Sequence, residues 1–379
     1  MKICWHYFET WETPTVSQWL RVWKSQGEHY GILALLPEDE KSVVTLLQSC
    51  ALDANLPLLG AVFPELIVQA DFKRRGLLLI GLDPMPKYNL CAGLSLPNGR
   101  AAAVKTLAER VEAEEDQDGT LLLLFDGLYG QTASFLADLY YEIGDNCRYA
   151  GINAGSESFQ PMPCLFDNQQ WLDDAVMGIF LPQHPGAALE HAYQIADIAL
   201  TASAASGNKI ARIDLEPAFD QYVKLVREHY AEEVSRENFY HMGVHFPFAL
   251  VRANGELLIR IPVAVDDEGA LFCVGEVPEG ALLTVAHGVE VGNPDTVIKL
   301  MAHYQKLQAD TGLFFFCAGR RMHLGTEGTA LELAQLATAL KDQPLLGALT
   351  LGEIGNSASG GYPLFHNATL VALPLQVRQ

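Results

Sequence analysis

Short loops rich in polar residues and glycine follow three apolar runs that recur along the chain, and side chains in such loops could bind a ligand. The matching positions are Phe63 and Glu65 after the first run, Asn153, Gly155, Ser156 and Glu157 after the second, and Gly352, Glu353, Gly355 and Asn356 after the third. Glycines there permit tight turns and expose backbone N–H groups. The alternative is that these residues only form the turns, but three matching loops together favour a ligand site.

Arginine and histidine side chains lie beside the third of these runs. Arg320 and Arg321 follow the apolar run 313–319 at the C-terminal end of a predicted strand, where open α/β sheets usually bind ligands. A guanidinium at that position can hold a carboxylate with two hydrogen bonds. The alternative for both arginines is an ion pair with one of the 46 acidic residues. His366 and Asn367 directly precede the final strand, where they either join the same site or cap that strand.

No catalytic motif accompanies these polar residues. The sequence lacks a Gly-x-Ser-x-Gly nucleophile elbow, a Gly-rich phosphate loop and a His-Glu-x-x-His zinc motif. Cys317 and Glu353 would be the reactive residues of a hydrolase or isomerase, but Cys317 lies in an apolar run with no base paired to it. His241 and His245 have the spacing of a helical metal pair, yet a β-region is expected there, so we interpret the spacing as chance. We therefore expect no enzymatic activity.

The charge of the chain argues against several classes of partner. Acidic residues outnumber basic ones 46 to 25, giving a formal net charge of −21, which repels nucleic-acid phosphates and anionic membrane surfaces. No apolar run approaches the roughly 20 residues that a membrane span needs, and the N-terminus lacks the features of a signal peptide. The cysteines form no Cys-x-x-Cys pair, which fits a reducing compartment. We expect a soluble, cytoplasmic protein that binds neither nucleic acid nor membranes.

The elements that position the polar loops occur more than once in the sequence. Residues 57–61 and 344–348 both read Pro-Leu-Leu-Gly-Ala, and residues 149–155 form a looser third copy. Each copy follows an apolar strand and a helix, and a loop and another apolar strand come after it. Such self-similarity indicates tandem duplication. The predicted fold is α/β, with two related modules whose mixed β-sheets are flanked by helices and built from repeated strand-helix-strand-strand units.

Three segments make up the predicted organisation. They are an N-terminal segment at 1–27, a first module at 28–215 and a second module at 216–379. In the first module, the Ala-rich stretch 186–205 is predicted to be helical. In the second, apolar runs separated by turn signals such as Asn254-Gly255 predict β-hairpins. Thr329 is predicted to cap the helix that precedes the second copy of the pentapeptide.

Several of these segments resemble the FIST domains, a family with an N-terminal and a C-terminal module. In the first module the resemblance rests on the sequences at 57–61, 125–127 and 151–155. In the second it rests on those at 246–248, 258–260, 277–280, 316–320, 351–354 and 365–369. Their order and spacing extend the resemblance from about residue 28 to the end of the chain. The first-unit loop departs from the family pattern, because Phe63 and Pro64 stand where many members carry small residues.

The resemblance implies an intracellular sensory module that binds a small, amino-acid-like ligand and signals through a separate partner such as a histidine kinase. From the strand-end loops and the residues beside them, we expect the ligand site to comprise Asn153, Gly155, Ser156, Arg320, Gly352, Glu353, His366 and Asn367. The alternative comes from stand-alone family members that bind haem and sense nitric oxide, acting on a partner histidine kinase. Without a Cys-x-x-Cys-His motif the haem would be non-covalent, and His366 or His323 would supply its axial nitrogen.

Overall fold

Three consecutive units of one topology make up most of the protein, whose computed structural model describes residues 2–27, 29–114, 118–357 and 361–377. Each unit has a strand, a helix, a strand, a helix, a strand, a hairpin and a final strand. The first unit comprises β1 (Lys2–Phe8), α1 (Thr13–Lys24), β2 (Gly31–Pro37), α2 (Val44–Asp53), β3 (Leu58–Phe63), β4 (Leu66–Val68), β5 (Asp71–Lys73) and β6 (Leu77–Asp83). The segment 1–27 therefore supplies the opening strand and helix of this unit.

The second unit repeats the same order without interruption. It comprises β7 (Tyr88–Ala92), α3 (Gly99–Glu112), β8 (Gly119–Asp126), α4 (Thr132–Ile143), β9 (Arg148–Ala154), β10 (Leu165–Asp167), β11 (Trp171–Leu172) and β12 (Ala175–Pro182). Leu136, Leu139 and Ile143 form the buried face of α4, as their helical spacing predicts. β8 is buried along its whole length, which is typical of a strand covered on both faces.

The third unit is interrupted by an insert after its first strand, β13 (Ala188–Glu190). The insert comprises β14 (Gln194–Ile195), β15 (Leu200–Thr201), β16 (Ala204–Ser206), β17 (Lys209–Ile213), β18 (Glu216–Pro217), α5 (Ala218–Tyr230), α6 (Phe239–His245), β19 (Phe248–Val251), β20 (Leu257–Arg260), β21 (Pro262–Val265), β22 (Leu271–Cys273) and β23 (Leu282–His287). The unit resumes with α7 (Asp295–Lys306), β24 (Ala309–Cys317), α8 (Ala318–Leu340), β25 (Leu346–Thr350), β26 (Glu353–Asn356), β27 (Pro363–His366) and β28 (Leu370–Val377).

Each unit builds a six-stranded mixed sheet that another unit completes. The strand orders are β1-β6-β2-β3-β10-β11, β7-β12-β8-β9-β26-β27 and β13-β28-β24-β25-β4-β5. In every sheet the strands before and after the second helix of the unit pair in parallel, and the final strand of the unit pairs antiparallel with the first of these two. The last two strands are a hairpin donated by a different unit. The first unit donates to the third, the second to the first and the third to the second, so the exchange is cyclic.

The two identical pentapeptides occupy equivalent places in this arrangement. β3 pairs in parallel with β2 and antiparallel with a donated hairpin, and β25 pairs in the same two ways with β24 and another donated hairpin. The predicted α/β fold with mixed sheets and repeated units is confirmed.

Two predictions about helices in the repeated units were wrong. The Ala-rich stretch 186–205 forms the short strands β13 to β16 rather than a helix, because it pairs with β28, β23 and β17. Such pairing outweighs the modest intrinsic helix preference of alanine. Thr329 lies inside α8, which begins at Ala318, so it is not an N-cap. Gly325, with φ of 66°, breaks the regular helical geometry just before it, and the sequence pattern therefore revealed only the second half of the helix.

The insert folds around its own apolar cluster, which includes Tyr222, Phe239 and Phe248. It contains two small antiparallel sheets, among them the hairpin β19–β20 predicted around Asn254 and Gly255. His241 and His245 lie on α6 rather than at the start of a β-region. Across the described residues, no helix combines the length and the apolar character needed to cross a membrane.

Candidate functional site

The polar loops of the three units meet at one place in the structure. The Gly155 N–H donates to the Val62 carbonyl at 2.8 Å, so the second unit is joined to the first there. The Asn153 N–H donates to the Gly352 carbonyl at 2.8 Å, which joins the second unit to the third. The Leu349 N–H donates to the Glu65 carbonyl at 2.9 Å and closes the ring. The ends of β3, β9 and β25 are therefore held together by backbone hydrogen bonds.

An ion-pair network with one residue from each unit lies at this junction. Arg321 of the third unit donates to Glu65 of the first at 2.9 Å and also donates to Glu157 of the second. All three side chains are partly exposed. The Arg321 guanidinium also lies 5.3 Å from the centre of the Phe72 ring, within the range of a cation–π contact. The loop residues Glu65 and Glu157, which hold matching places in the sequence, thus converge on a single arginine.

This network lines a cavity of about 530 Å³. The polar wall contains Glu65, Asp71, Glu157, Arg321 and Thr329, and Phe72 supplies an aromatic wall. The Thr329 hydroxyl is buried and has no hydrogen-bond partner among the described residues. Three carboxylates and one guanidinium in one cavity give it an excess of negative charge, although Asp71 is paired with Lys73 at 2.6 Å. The cavity can therefore accommodate a positively charged group beside the carboxylates and a carboxylate beside Arg321.

Local structure explains how each charged residue reaches the cavity. Glu65 lies in the tight connection between β3 and β4, and Glu157 follows β9 after Gly155, whose φ of 127° is a conformation that favours glycine. Ser156 turns the chain there, because its hydroxyl accepts the Ser158 N–H at 3.0 Å. Arg321 lies in the first turn of α8, directly after β24. Asp71, Phe72 and Thr329 were missed from the sequence. Asp71 and Phe72 belong to a donated hairpin, and no sequence pattern indicated that Thr329 would face a cavity.

Arg320, the arginine we favoured from the sequence, is held by protein groups. Its Nε and Nη2 donate to the two carboxylate oxygens of Glu332 at 2.7 and 2.5 Å, and Nη2 also donates to Thr296 at 2.7 Å. Both side chains of the ion pair are buried. The alternative role considered from the sequence, an internal ion pair, is therefore the one that the structure gives Arg320.

Glu353 is completely buried and also bonded to protein groups. One carboxylate oxygen accepts the Thr350 hydroxyl at 2.6 Å and the other accepts the Thr369 hydroxyl at 2.5 Å. Burial raises the pKa of Glu353 to about 7, although these hydrogen bonds act in the opposite direction. Gly352 leaves room for the Phe365 ring, since a Cβ there would lie 2.5 Å from it. Glu353 does not line the 530 Å³ cavity, so it lies behind the ion-pair network rather than in it.

A second, much smaller cavity of about 40 Å³ lies at the start of α8. Cys317 and Asn367 line it, and the Asn367 amide oxygen has no hydrogen-bond partner among the described residues. The amide oxygen of the neighbouring buried Asn153 is also unpaired there. The volume suits about two or three water molecules. Burial and the Glu353 charge raise the pKa of the Cys317 thiol, which disfavours the nucleophilic thiolate.

The two histidines considered for haem are in confined environments. His366 is buried in β27, neither ring nitrogen has a partner among the described residues, and burial lowers its pKa to about 3. His323 Nε2 donates to the Val289 carbonyl at 2.9 Å, and its Nδ1 lies 2.9 Å from Nδ1 of His245. Neither ring lines the 530 Å³ cavity. These positions do not fit a haem, which needs a free axial nitrogen beside an apolar cavity large enough for the porphyrin.

These features define an α/β protein with small internal cavities at the junctions of repeated units. No group of three or more His, Cys, Asp or Glu side chains in the described part of the chain is arranged to hold a metal ion. The FIST N domain matches residues 33–216 and the FIST C domain matches residues 218–356. The chain belongs to the FIST family, whose domains are sensory and signal-transduction modules that bind small ligands. No curated protein matches it.

Proposed function

We propose that this protein is an intracellular sensor whose 530 Å³ cavity binds an amino-acid-like ligand and whose signal passes through a separate partner protein. The observation that supports this proposal is the meeting of Glu65, Glu157 and Arg321, one from each unit, at the wall of one cavity. An amino acid carries an ammonium and a carboxylate on one carbon atom. A cavity with carboxylates and a guanidinium side by side is complementary to both groups.

The charged groups of the ligand replace some of the contacts that Arg321 makes with Glu65 and Glu157 in the ion-pair network. Its ammonium donates to Glu65 and Glu157, and its carboxylate accepts from Arg321. A guanidinium has five N–H donors, so Arg321 can keep one glutamate while it binds the ligand. The Phe72 ring offers an apolar surface to the ligand side chain. Because the three charged residues are partly exposed, the ligand can reach them from solvent.

Binding at this position can produce a signal because the ligand touches all three units. A ligand shifts a conformational equilibrium by the difference in its affinity for the two states. An amino acid that bridges the three units favours the state in which their loops are closest. The partner, for which a histidine kinase is our proposal from the family resemblance, would recognise that state.

Isothermal titration calorimetry with the twenty common amino acids tests the site. For an amino acid that binds, the deaminated acid and the decarboxylated amine should each bind at least about 10-fold more weakly, because each lacks one charged group. Arg321→Met and Glu157→Gln should weaken binding to a similar degree. Arg227→Met is the matched control, since it breaks an exposed ion pair with Glu233 and neither residue lines the cavity.

The proposal fails if none of the amino acids binds at millimolar concentration. It also fails if Arg321→Met binds the best amino acid as tightly as Arg227→Met does. Circular dichroism of each variant shows whether a loss of binding is accompanied by a loss of folded structure.

A further inference from the structure

A separate cavity of about 450 Å³ lies where the insert packs against the second unit. The insert contributes residues of β19, β20 and the segment 276–282, the second unit contributes α4, and the donated strand β27 forms another wall. Most of the wall is apolar and includes Leu250, Leu258, Val277, Leu282 and Leu364. The volume falls within the range of small-molecule sites.

Arg260, which lines this cavity, is a buried cation that forms no salt bridge among the described residues. Its Nε donates to the Glu276 carbonyl at 2.9 Å, and its Nη1 donates to the carbonyls of Ile259 and Phe365 at 2.9 and 3.1 Å. No carboxylate of the described residues forms a salt bridge with it, and Nη2 has no hydrogen-bond partner among them. Burial lowers its pKa to about 10, so the guanidinium is still charged at neutral pH. A buried charge of this kind is costly unless something pairs with it.

The other charged groups on the wall leave the cavity positive. Arg252 also lines it, with its guanidinium 5.6 Å from the centre of the Tyr362 ring and no salt bridge among the described residues. Glu276 is the carboxylate on the wall, but it accepts the backbone N–H of Ser134 at 2.9 Å and also the Ser134 hydroxyl, in the first turn of α4. There it compensates the positive end of the helix. Two guanidinium groups therefore face a cavity whose carboxylate is already engaged.

We propose that this cavity is a second ligand site, which binds an organic carboxylate with an apolar body. The Nη2 group of Arg260, which has no partner among the described residues, can donate to a ligand carboxylate in a charge-assisted hydrogen bond, and Arg252 adds a second positive charge. The apolar walls cover the apolar body of the ligand. An inorganic anion has no such body and would leave these walls without a contact. This site uses none of the residues of the amino-acid site proposed above, so the two proposals stand independently.

Phenylacetate is a suitable probe, with phenylacetamide as the uncharged analogue of the same shape and inorganic phosphate as the anion without an apolar body. Isothermal titration calorimetry of the full chain should show phenylacetate binding at least about 10-fold more tightly than either compound. Arg252→Gln should weaken phenylacetate binding by about 10-fold, the effect of losing one charged contact. Ala137→Leu should weaken binding by narrowing the cavity, since Ala137 lines it from α4.

Two control variants and a fold measurement complete the test. Arg227→Gln removes an exposed arginine outside the cavity, and Arg321→Met alters only the amino-acid site, so both should bind phenylacetate like the wild type. Arg260→Lys keeps the charge but removes the Nη2 donor and the donors that hold the side chain in place, so it should weaken binding. If that variant loses its circular dichroism signal, Ala137→Leu and Arg252→Gln decide the question.

Several outcomes would overturn the proposal. Phenylacetate that does not bind at about 10 mM would show that the buried arginine is structural only. Equal affinity for phenylacetate and phosphate would show an anion site without selectivity for an organic body. Unchanged affinity in Ala137→Leu would place the bound probe elsewhere, and lost affinity in Arg321→Met would place it in the other cavity.

Discussion

Replacing Glu353 by Gln should stabilise the protein at neutral and alkaline pH but not at acidic pH. The Glu353 carboxylate is fully buried between Thr350 and Thr369, and no arginine or lysine pairs with it among the described residues. Burial without a positive partner penalises the ionised form, which is why its pKa is raised from 4.5 to about 7. Gln has nearly the same shape and is neutral at every pH. Its amide can accept from one threonine hydroxyl and donate to the other.

The size of the effect on the free energy of unfolding follows from the pKa shift of Glu353. A carboxyl whose pKa is raised on folding contributes stability that is fully present below its unfolded pKa and is lost as pH rises through its folded pKa. For Glu353 this window extends from pH 4.5 to about 7. At 1.36 kcal/mol per pKa unit, the loss is about 3 kcal/mol. The free energy of unfolding of Glu353→Gln relative to wild type should therefore increase by about 3 kcal/mol between pH 4.5 and pH 8.

Urea unfolding of both proteins at several pH values between 4.5 and 8 measures this difference. Other titrating groups are common to both proteins and cancel in the comparison. Glu216→Gln, which removes a solvent-exposed carboxylate, corrects for the change in net charge. A difference between Glu353→Gln and wild type that stays constant across this range would refute the reasoning, and so would a variant that becomes relatively less stable as pH rises.

Three further predictions concern other buried groups. Burial lowers the pKa of His366 from 6.5 to about 3, so its contribution to stability is lost as pH falls from 6.5 towards 3, by up to about 5 kcal/mol. His366→Phe should therefore lose less stability than wild type between pH 7 and pH 4.5, as measured by thermal unfolding. An equal loss in both proteins would contradict this. Arg320→Met should lower the free energy of unfolding in urea by about 3–5 kcal/mol, because Glu332 is left buried and unpaired. The double variant Arg320→Met, Glu332→Leu should recover much of that loss, and equal losses in the single and double variants would contradict the prediction. Titration of the protein with haemin should not shift or sharpen the Soret band of free haemin, because His366 is buried and His323 is engaged by Val289 and His245. A shifted, sharpened band that is lost in His366→Ala or His323→Ala would instead support the haem alternative.

The repeated units could be predicted from the sequence because each carries local signals. The pentapeptides at 57–61 and 344–348 follow periodic helices, and β3 and β25 occupy equivalent positions. The loops after the repeated strands also meet, and Glu65 and Glu157, identified there from the sequence, both pair with Arg321. The repeated units and the strand-end loops depend on the periodicity of strands and helices and on where each strand ends. Residues that are close in sequence determine both, so the sequence pattern can predict them.

The remaining features depend on partners that are distant in sequence. The hairpin β4–β5 joins the third sheet rather than its own, and no local pattern specifies which edge a hairpin will extend. Arg320 and Arg321 are adjacent and chemically identical, yet the first is buried against Glu332 and the second faces a cavity. Arg260 offered one usable signal, a cation within an apolar strand. That it forms no salt bridge among the described residues can be seen only from the structure.

The cyclic exchange of hairpins explains why the proposed amino-acid site lies where it does. A unit that donates its hairpin leaves one edge of its own third strand (β3, β9 or β25) unpaired, so each sheet is complete only when another unit fills that edge. The loop that leads into each hairpin must therefore cross from one unit to the next, and β3, β9 and β25 all end at this crossing. Glu65 and Glu157 lie on two such crossings, and Arg321 lies beside the third. A ligand bound there contacts the connections that hold all three sheets together, so its binding energy can act on the whole repeat at once.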